Sequence, residues 1–188
     1  VREFVAAHEA FHDGHPPTPL AILERAVRLG SDSLRGITLQ IRRVQGTEPE
    51  DSEWWARLWL DCQFLVVVLW RMRQAGVLAT QARVERDRIR LAVAEFDAEL
   101  PDLKRMRDVA QHFDEYAVDG KGRRHFRSDR KAKVGRRQLE VGSWAVDEDG
   151  HIVGYRWLDG VIDFKSATDA SWALYREIQS VRDIARAS

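Results

Sequence analysis

The stretch RDVAQHFDEY, Arg107 to Tyr116, sets an arginine, an acid, a histidine and a tyrosine within about three helical turns. Residues four apart share a helix face, so Asp108, His112 and Tyr116 form one polar stripe. A histidine titrates near neutrality and can carry protons, and a carboxylate beside it fixes its tautomer and favours its charged form. Arg107 adds a planar, permanently charged fork suited to phosphoryl oxygens. It stands five residues before His112, about 140° round a helix of ~3.6 residues per turn. The two therefore do not simply point the same way. A bent arginine side chain, or the same helix of a second copy, would complete the set.

The next segment is the most basic in the chain. From Lys121 to Arg137 there are nine Lys or Arg against one acid, Asp129, a local charge of +8. The whole chain has 30 Lys+Arg and 30 Asp+Glu, so the remainder carries −8. Such polarity draws a phosphate backbone to one edge, with Lys121, Arg123, Arg124, Arg127 and Arg130 as RNA-contacting candidates and affinity that falls steeply with salt. The competing reading is a solvated, charged loop.

The segment RDVAQH matches the arginine, four residues, histidine pattern of the HEPN domain superfamily, and RDVAQHFDEYAVDGKGR resembles the end of its motif helix. The resemblance implies a helical bundle and a homodimer whose two motif helices meet in a composite site. Many members are metal-independent endoribonucleases, including toxins and defence effectors, and others have lost activity. It assigns catalytic roles to Arg107 and His112, supported by Asp108 and Tyr116. RNA becomes the expected substrate, a cognate antitoxin the expected protein partner, and no cofactor is called for. The family often has asparagine where this chain has Asp108, and some toxin members carry tyrosine two residues nearer the histidine than Tyr116. The chemistry would be attack by the RNA's own 2′-hydroxyl, with His112 moving protons and Arg107 balancing charge on phosphorus. The alternative is a catalytically silent helical module that binds RNA or a protein.

A second motif, HEAFHDGH, contains His-Glu-x-x-His and is similar to the zinc-protease pattern, with His8 and His12 as ligands and Glu9 as base. Pro16 and Pro17 end that helix one turn later, no glycine and third histidine follow at the expected spacing, and His15 lies on another face. A helix-end histidine cluster is the preferred reading, so no metal site is assigned. Among seven tryptophans, Trp54, Trp55, Trp59 and Trp70 fall on one helix and read as core or dimer interface. Trp144 and Trp157, on short strands, are the candidates for stacking on a base.

Apolar residues at Leu20, Leu23, Val27, Leu34, Ile37 and Ile41 predict a first amphipathic helix. After GTEPEDSEWW, with Ser52 as N-cap, a second runs to Gly76 along the stripe Trp55, Trp59, Cys62, Val66 and Leu69. A third starts near Gln81, and Pro101 with Asp102 restarts a fourth through Tyr116. Residues 121–137 then form a basic loop. Alternation over 138–165, with turn signals at Asp149-Gly150 and Asp159-Gly160, predicts an antiparallel hairpin or three-stranded meander. A last helix closes the chain, capped by Ser166 or Thr168.

The expected architecture is mainly α: one antiparallel, HEPN-like bundle domain over 1–188 with a small β appendage. A single cysteine, Cys62, excludes an internal disulfide and suits a reducing cytosol. The longest uninterrupted apolar run, FLVVVLW, falls far short of the roughly 20 residues that span a bilayer. A cytoplasmic protein without membrane contact is the expectation.

Overall fold

Thr18 and Pro19 start the first helix. The threonine hydroxyl accepts from the Ala21 amide at 3.2 Å, and the proline occupies a first-turn position where its missing N–H costs nothing. In the computed structural model, which describes residues 16–46, 53–111 and 142–188, helix α1 spans Pro19–Gln45. It is followed by α2 (Trp54–Ala79), α3 (Arg86–Glu99), α4 (Leu103–Gln111), β1 (Ser143–Val146), β2 (Ile152–Trp157), β3 (Gly160–Asp163) and α5 (Phe164–Ala187). The described residues are thus mainly helical, with one three-stranded antiparallel sheet in the order β1-β2-β3.

Helix α2 is the centre of the bundle and packs against α1, α3, α4 and α5. Its buried side chains, Leu58, Cys62, Leu65, Val66, Leu69 and Met72, include three positions of the expected stripe, and the Trp55 side chain lies outside the described ones. Trp59 is half-buried. By length and mean hydropathy, residues Ala56–Ala82 could cross a membrane, yet the helix packs against four others and 44% of its apolar window is buried among them. From α1, Leu23, Ala26, Leu34 and Ile37 complete this core.

The sheet lies against the same helix because β2 places Tyr155 and Trp157 two apart on one face. Both meet Trp59 edge-on, at centroid distances of 6.1 and 5.7 Å. Gln63 donates to the Tyr155 hydroxyl at 3.0 Å, and Gln45 to the Ile152 carbonyl at 3.1 Å. Trp157 is therefore core, which corrects its assignment as a base-stacking candidate. Trp144 is half-buried and packs on Trp54.

Several boundaries differ from expectation. Helix α2 has Glu53, not Ser52, at its N-cap and runs past Gly76 to Ala79. The third helix begins at Arg86, not Gln81. Thr80–Ala82 makes a tight 3-10 turn, and Arg83 (φ 59) and Glu85 (φ 42) adopt left-handed backbone, reversing the chain. The helix-favouring composition of that stretch hides a turn imposed by packing α3 back on α2 and α5. The cap of α5 is Asp163, whose carboxylate accepts from the Ser166 amide at 2.7 Å. Thr168 instead donates to the Phe164 carbonyl within the helix. The second hairpin turns at Leu158 and Asp159 (φ 54 and 63), with Gly160 already in β3. Two consecutive positive φ values match the right-handed twist of a two-residue hairpin, and burial of Leu158 offsets its backbone strain. At the first turn the glycine is where expected, Gly150 at φ 84.

Candidate functional site

Pro101 and the short α4 direct Arg107 and Asp108 toward α2. Leu103, Met106 and Val109 are buried, so α4 presses its apolar edge into the bundle and leaves its polar residues at the margin. There the Arg107 guanidinium lies over the Trp70 ring of α2, 4.1 Å from its centroid. Its Nη2 pairs with the Asp108 carboxylate at 3.0 Å, and its Nη1 donates to Gln111 Oε1 at 3.0 Å. The Nε is buried with no acceptor among the described residues. One-fifth of the side chain remains accessible. An arginine on an exposed short helix would normally sweep many rotamers. Here stacking and two polar contacts hold it in one place.

Trp70 serves a second guanidinium. Arg73, one turn on along α2, lies 5.0 Å from the same centroid and forms a two-point pair with Asp97 of α3, at 2.7 and 2.8 Å. That pairing raises the Arg73 pKa, outweighing the effect of partial burial. Asp97, Arg73, Trp70 and Arg107 thus connect α3 through α2 to α4. The sequence points to Arg107 and Trp70 only separately, as a catalytic residue and as core or dimer interface, and does not link them to Arg73 and Asp97. Trp70 and Arg73 at i and i+3 were a readable pair, whereas Asp97, 24 residues away, gave no signal.

Of the expected catalytic residues, the structure places Arg107 and Asp108 side by side. The Asp108 carboxylate faces Arg107, and its expected contact with His112 falls outside the described residues, as do His112 and Tyr116 themselves. The basic segment with Lys121, Arg123, Arg124, Arg127 and Arg130 also lies outside them, as does the cluster of His8, Glu9 and His12.

Two other polar clusters bear on the chemistry. In the β1–β2 turn, Asp147, Asp149 and His151 bring ligand-type atoms within 4.8 Å of one another. All three are exposed. One Asp147 oxygen accepts from the amides of Asp149 and His151, which, led by the His151 amide, holds its carboxyl below the usual carboxylate range. That cluster builds the turn. Between α3 and α5 an open groove of about 880 Å³ has Phe96 and Leu174 in its lining and carries Glu95, Glu99, Asp169 and Glu177 against Arg176. Glu177 is paired with Arg88 and Asp169 with Lys165, so most of its charge is already balanced and nothing in it favours a phosphate backbone.

Comparison with family models, curated proteins and solved structures finds no match for this chain.

Proposed function

We propose that the chain is a metal-independent endoribonuclease of HEPN type, acting as a homodimer, with toxin or defence activity as its setting and a cognate antitoxin as its protein partner. The observation that carries this reading is the fixed, partly accessible guanidinium of Arg107, held on Trp70 and five residues before His112 in the sequence. A charge stabiliser held in place before substrate arrives contributes most where negative charge develops, as at phosphorus during attack by the 2′-hydroxyl. His112 then takes the proton from that hydroxyl and returns one to the leaving 5′-oxygen. The basic segment 121–137, which follows α4 in the sequence, supplies the charge that attracts the strand. Self-association has a surface available: Leu60 and Phe64 on α2 and Leu39 on α1 are each more than half exposed. The contacts of Arg43 with Asp61, and the approach of Gly36 to Val68, set the α1–α2 register that brings Leu39 level with Phe64.

One observation favours the second reading, a silent HEPN-like module binding RNA or a protein. Asp108 and Gln111 already engage both terminal nitrogens of Arg107, which would then be a structural arginine. Incubation of the purified chain with RNA in chelator separates the two. The ribonuclease leaves 2′,3′-cyclic phosphate ends, and Arg107→Ala or His112→Ala lowers the rate by ~10²-fold or more. Intact RNA with every preparation supports the silent module. Cleavage that requires zinc points to His8, Glu9 and His12.

A further inference from the structure

We propose that Trp70 is the positioning residue of this site, its indole face setting where the Arg107 guanidinium stands. The inference rests on the ribonuclease reading for its catalytic consequence, but not for its geometry.

Four features converge on the indole. Arg107 lies over the ring at 4.1 Å, well inside the roughly 6 Å reach of a cation–π contact. The ring itself is braced, because Arg73 approaches it at 5.0 Å while tied at two points to Asp97. Trp70 is half-buried between buried Leu69 and the margin of α4, so the contact is partly desolvated and screened less than a surface pair. Finally, the Arg107 Nε is buried without an acceptor among the described residues, so hydrogen bonding at that atom does not hold the group; stacking does. Asp108 and Gln111 move with Arg107 on α4 and fix the fork only relative to that helix. Trp70 belongs to the central helix and supplies the external reference. The expectation that Trp70 is plain core or dimer interface is thereby given a more specific role.

The test uses the full-length protein labelled with ¹⁵N-arginine, with the Arg107 Nε–H resonance assigned by its loss in Arg107→Lys. In the wild type this N–H is rigid, with an order parameter near ~0.85, and slow to exchange. In Trp70→Leu it falls below about 0.6 and exchanges quickly, whereas Trp70→Phe, which keeps a π face, stays close to the wild type. On RNA, Trp70→Leu lowers kcat/KM by about tenfold, most of it in kcat, and Trp70→Phe restores most of the loss. A mobile Nε–H in the wild type, or a rigid one in Trp70→Leu, overturns the proposal. Trp70→Met, which keeps apolar bulk without a π face, reads the same quantity should Trp70→Leu not fold. If rigidity follows the ring as described while no protein cleaves RNA, the positioning role stands and the ribonuclease reading falls.

Discussion

The buried carboxylate of Asp61 meets the half-exposed guanidinium of Arg43 at 2.8 Å, joining the last turn of α1 to the first turns of α2. The pair is asymmetric, because water can solvate Arg43 but not Asp61. Removing the arginine leaves a charge stranded in the core, whereas neutralising the acid leaves a cation at the surface. Arg43→Ala is therefore expected to destabilise the fold by about 2–3 kcal/mol, and Asp61→Asn by about 1 kcal/mol. Urea unfolding measures both. Equal losses, or a larger one in Asp61→Asn, would contradict the argument.

Alkaline pH should weaken the fold through α2. Burial pushes the Cys62 thiol from 9.0 up to about 12, against a lowering contact from Trp144, with Asp61 adding a smaller rise. Burial likewise raises the Tyr155 hydroxyl, with Cys62 contributing and Gln63 opposing. Both groups keep protons in the folded state that the unfolded chain releases. Their contribution to stability is complete below pH 9 and is lost as the pH climbs toward 12. Each group contributes a slope of up to ~1.4 kcal/mol per pH unit. Between pH 8 and 10.5 the urea midpoint should drop, and drop less in Cys62→Ala. A thiol reagent at pH 8 should label Cys62 only after unfolding.

Gly76 sits where α2 crosses α3 and α5. A Cβ there would come within 2.6 Å of Val93 Cγ2 and 3.1 Å of Leu174 Cδ1, both on buried side chains. Alanine gains about 1 kcal/mol of helix propensity over glycine, but forced packing in a filled core costs about 1–3 kcal/mol, and a stiff valine methyl has little room to yield. Gly76→Ala should thus lower the melting temperature. Gly36→Ala, facing only the partly buried Val68, should be better tolerated. A stabilised Gly76→Ala would show that the three helices have more slack than their contacts imply.

The fold was legible wherever one local signal sufficed. The stripe Cys62, Val66, Leu69 identified the central helix, and alternation around Tyr155 and Trp157 identified the meander. Signals failed where tertiary contacts chose between local options. Asp163, Ser166 and Thr168 can all cap, and the strand end decided for Asp163. Leu158 carries no turn signature, and only its burial explains a positive φ at a leucine. At the site, spacing located Arg107 and Asp108 on α4. It did not show that Asp108 faces Arg107, since neighbours in sequence diverge by about 100° on a helix and meet only if a long side chain bends back. The Asp97–Arg73 pair crosses two helices and has no sequence signature.

Segment 121–137 is expected to govern RNA affinity without setting sequence choice, since contacts to phosphates position a strand and do not read it. Neutralising Arg123, Arg124 and Arg127 together should reduce the slope of log affinity against log salt by about 2, at ~0.7 per phosphate contact on a single strand. Fluorescence anisotropy with a 2′-deoxy oligonucleotide gives the slope without cleavage. An unchanged slope would return this stretch to a merely solvated loop.

Asp108→Asn tests the residue that the site shares with two roles. Its carboxylate is paired to Arg107 at 3.0 Å, and the four-residue spacing predicts that it shares a helix face with His112. Asparagine, the residue more usual in the HEPN superfamily, keeps the shape and removes the charge. Arg107 retains Trp70 and Gln111, so the guanidinium stays placed but is no longer neutralised, and phosphate competes for it more easily. KM should fall by about threefold, the effect of a partly exposed ion pair. For the proposed ribonuclease, with Asp108 beside the histidine as the spacing predicts, loss of the anion disfavours the charged imidazole and is expected to move the acidic limb of the pH–rate profile to lower pH. Activity with a lower KM and a shifted limb is the expected result. A lower KM with an unmoved limb would confine Asp108 to Arg107, and loss of all cleavage in a folded variant would make the carboxylate itself a required proton acceptor.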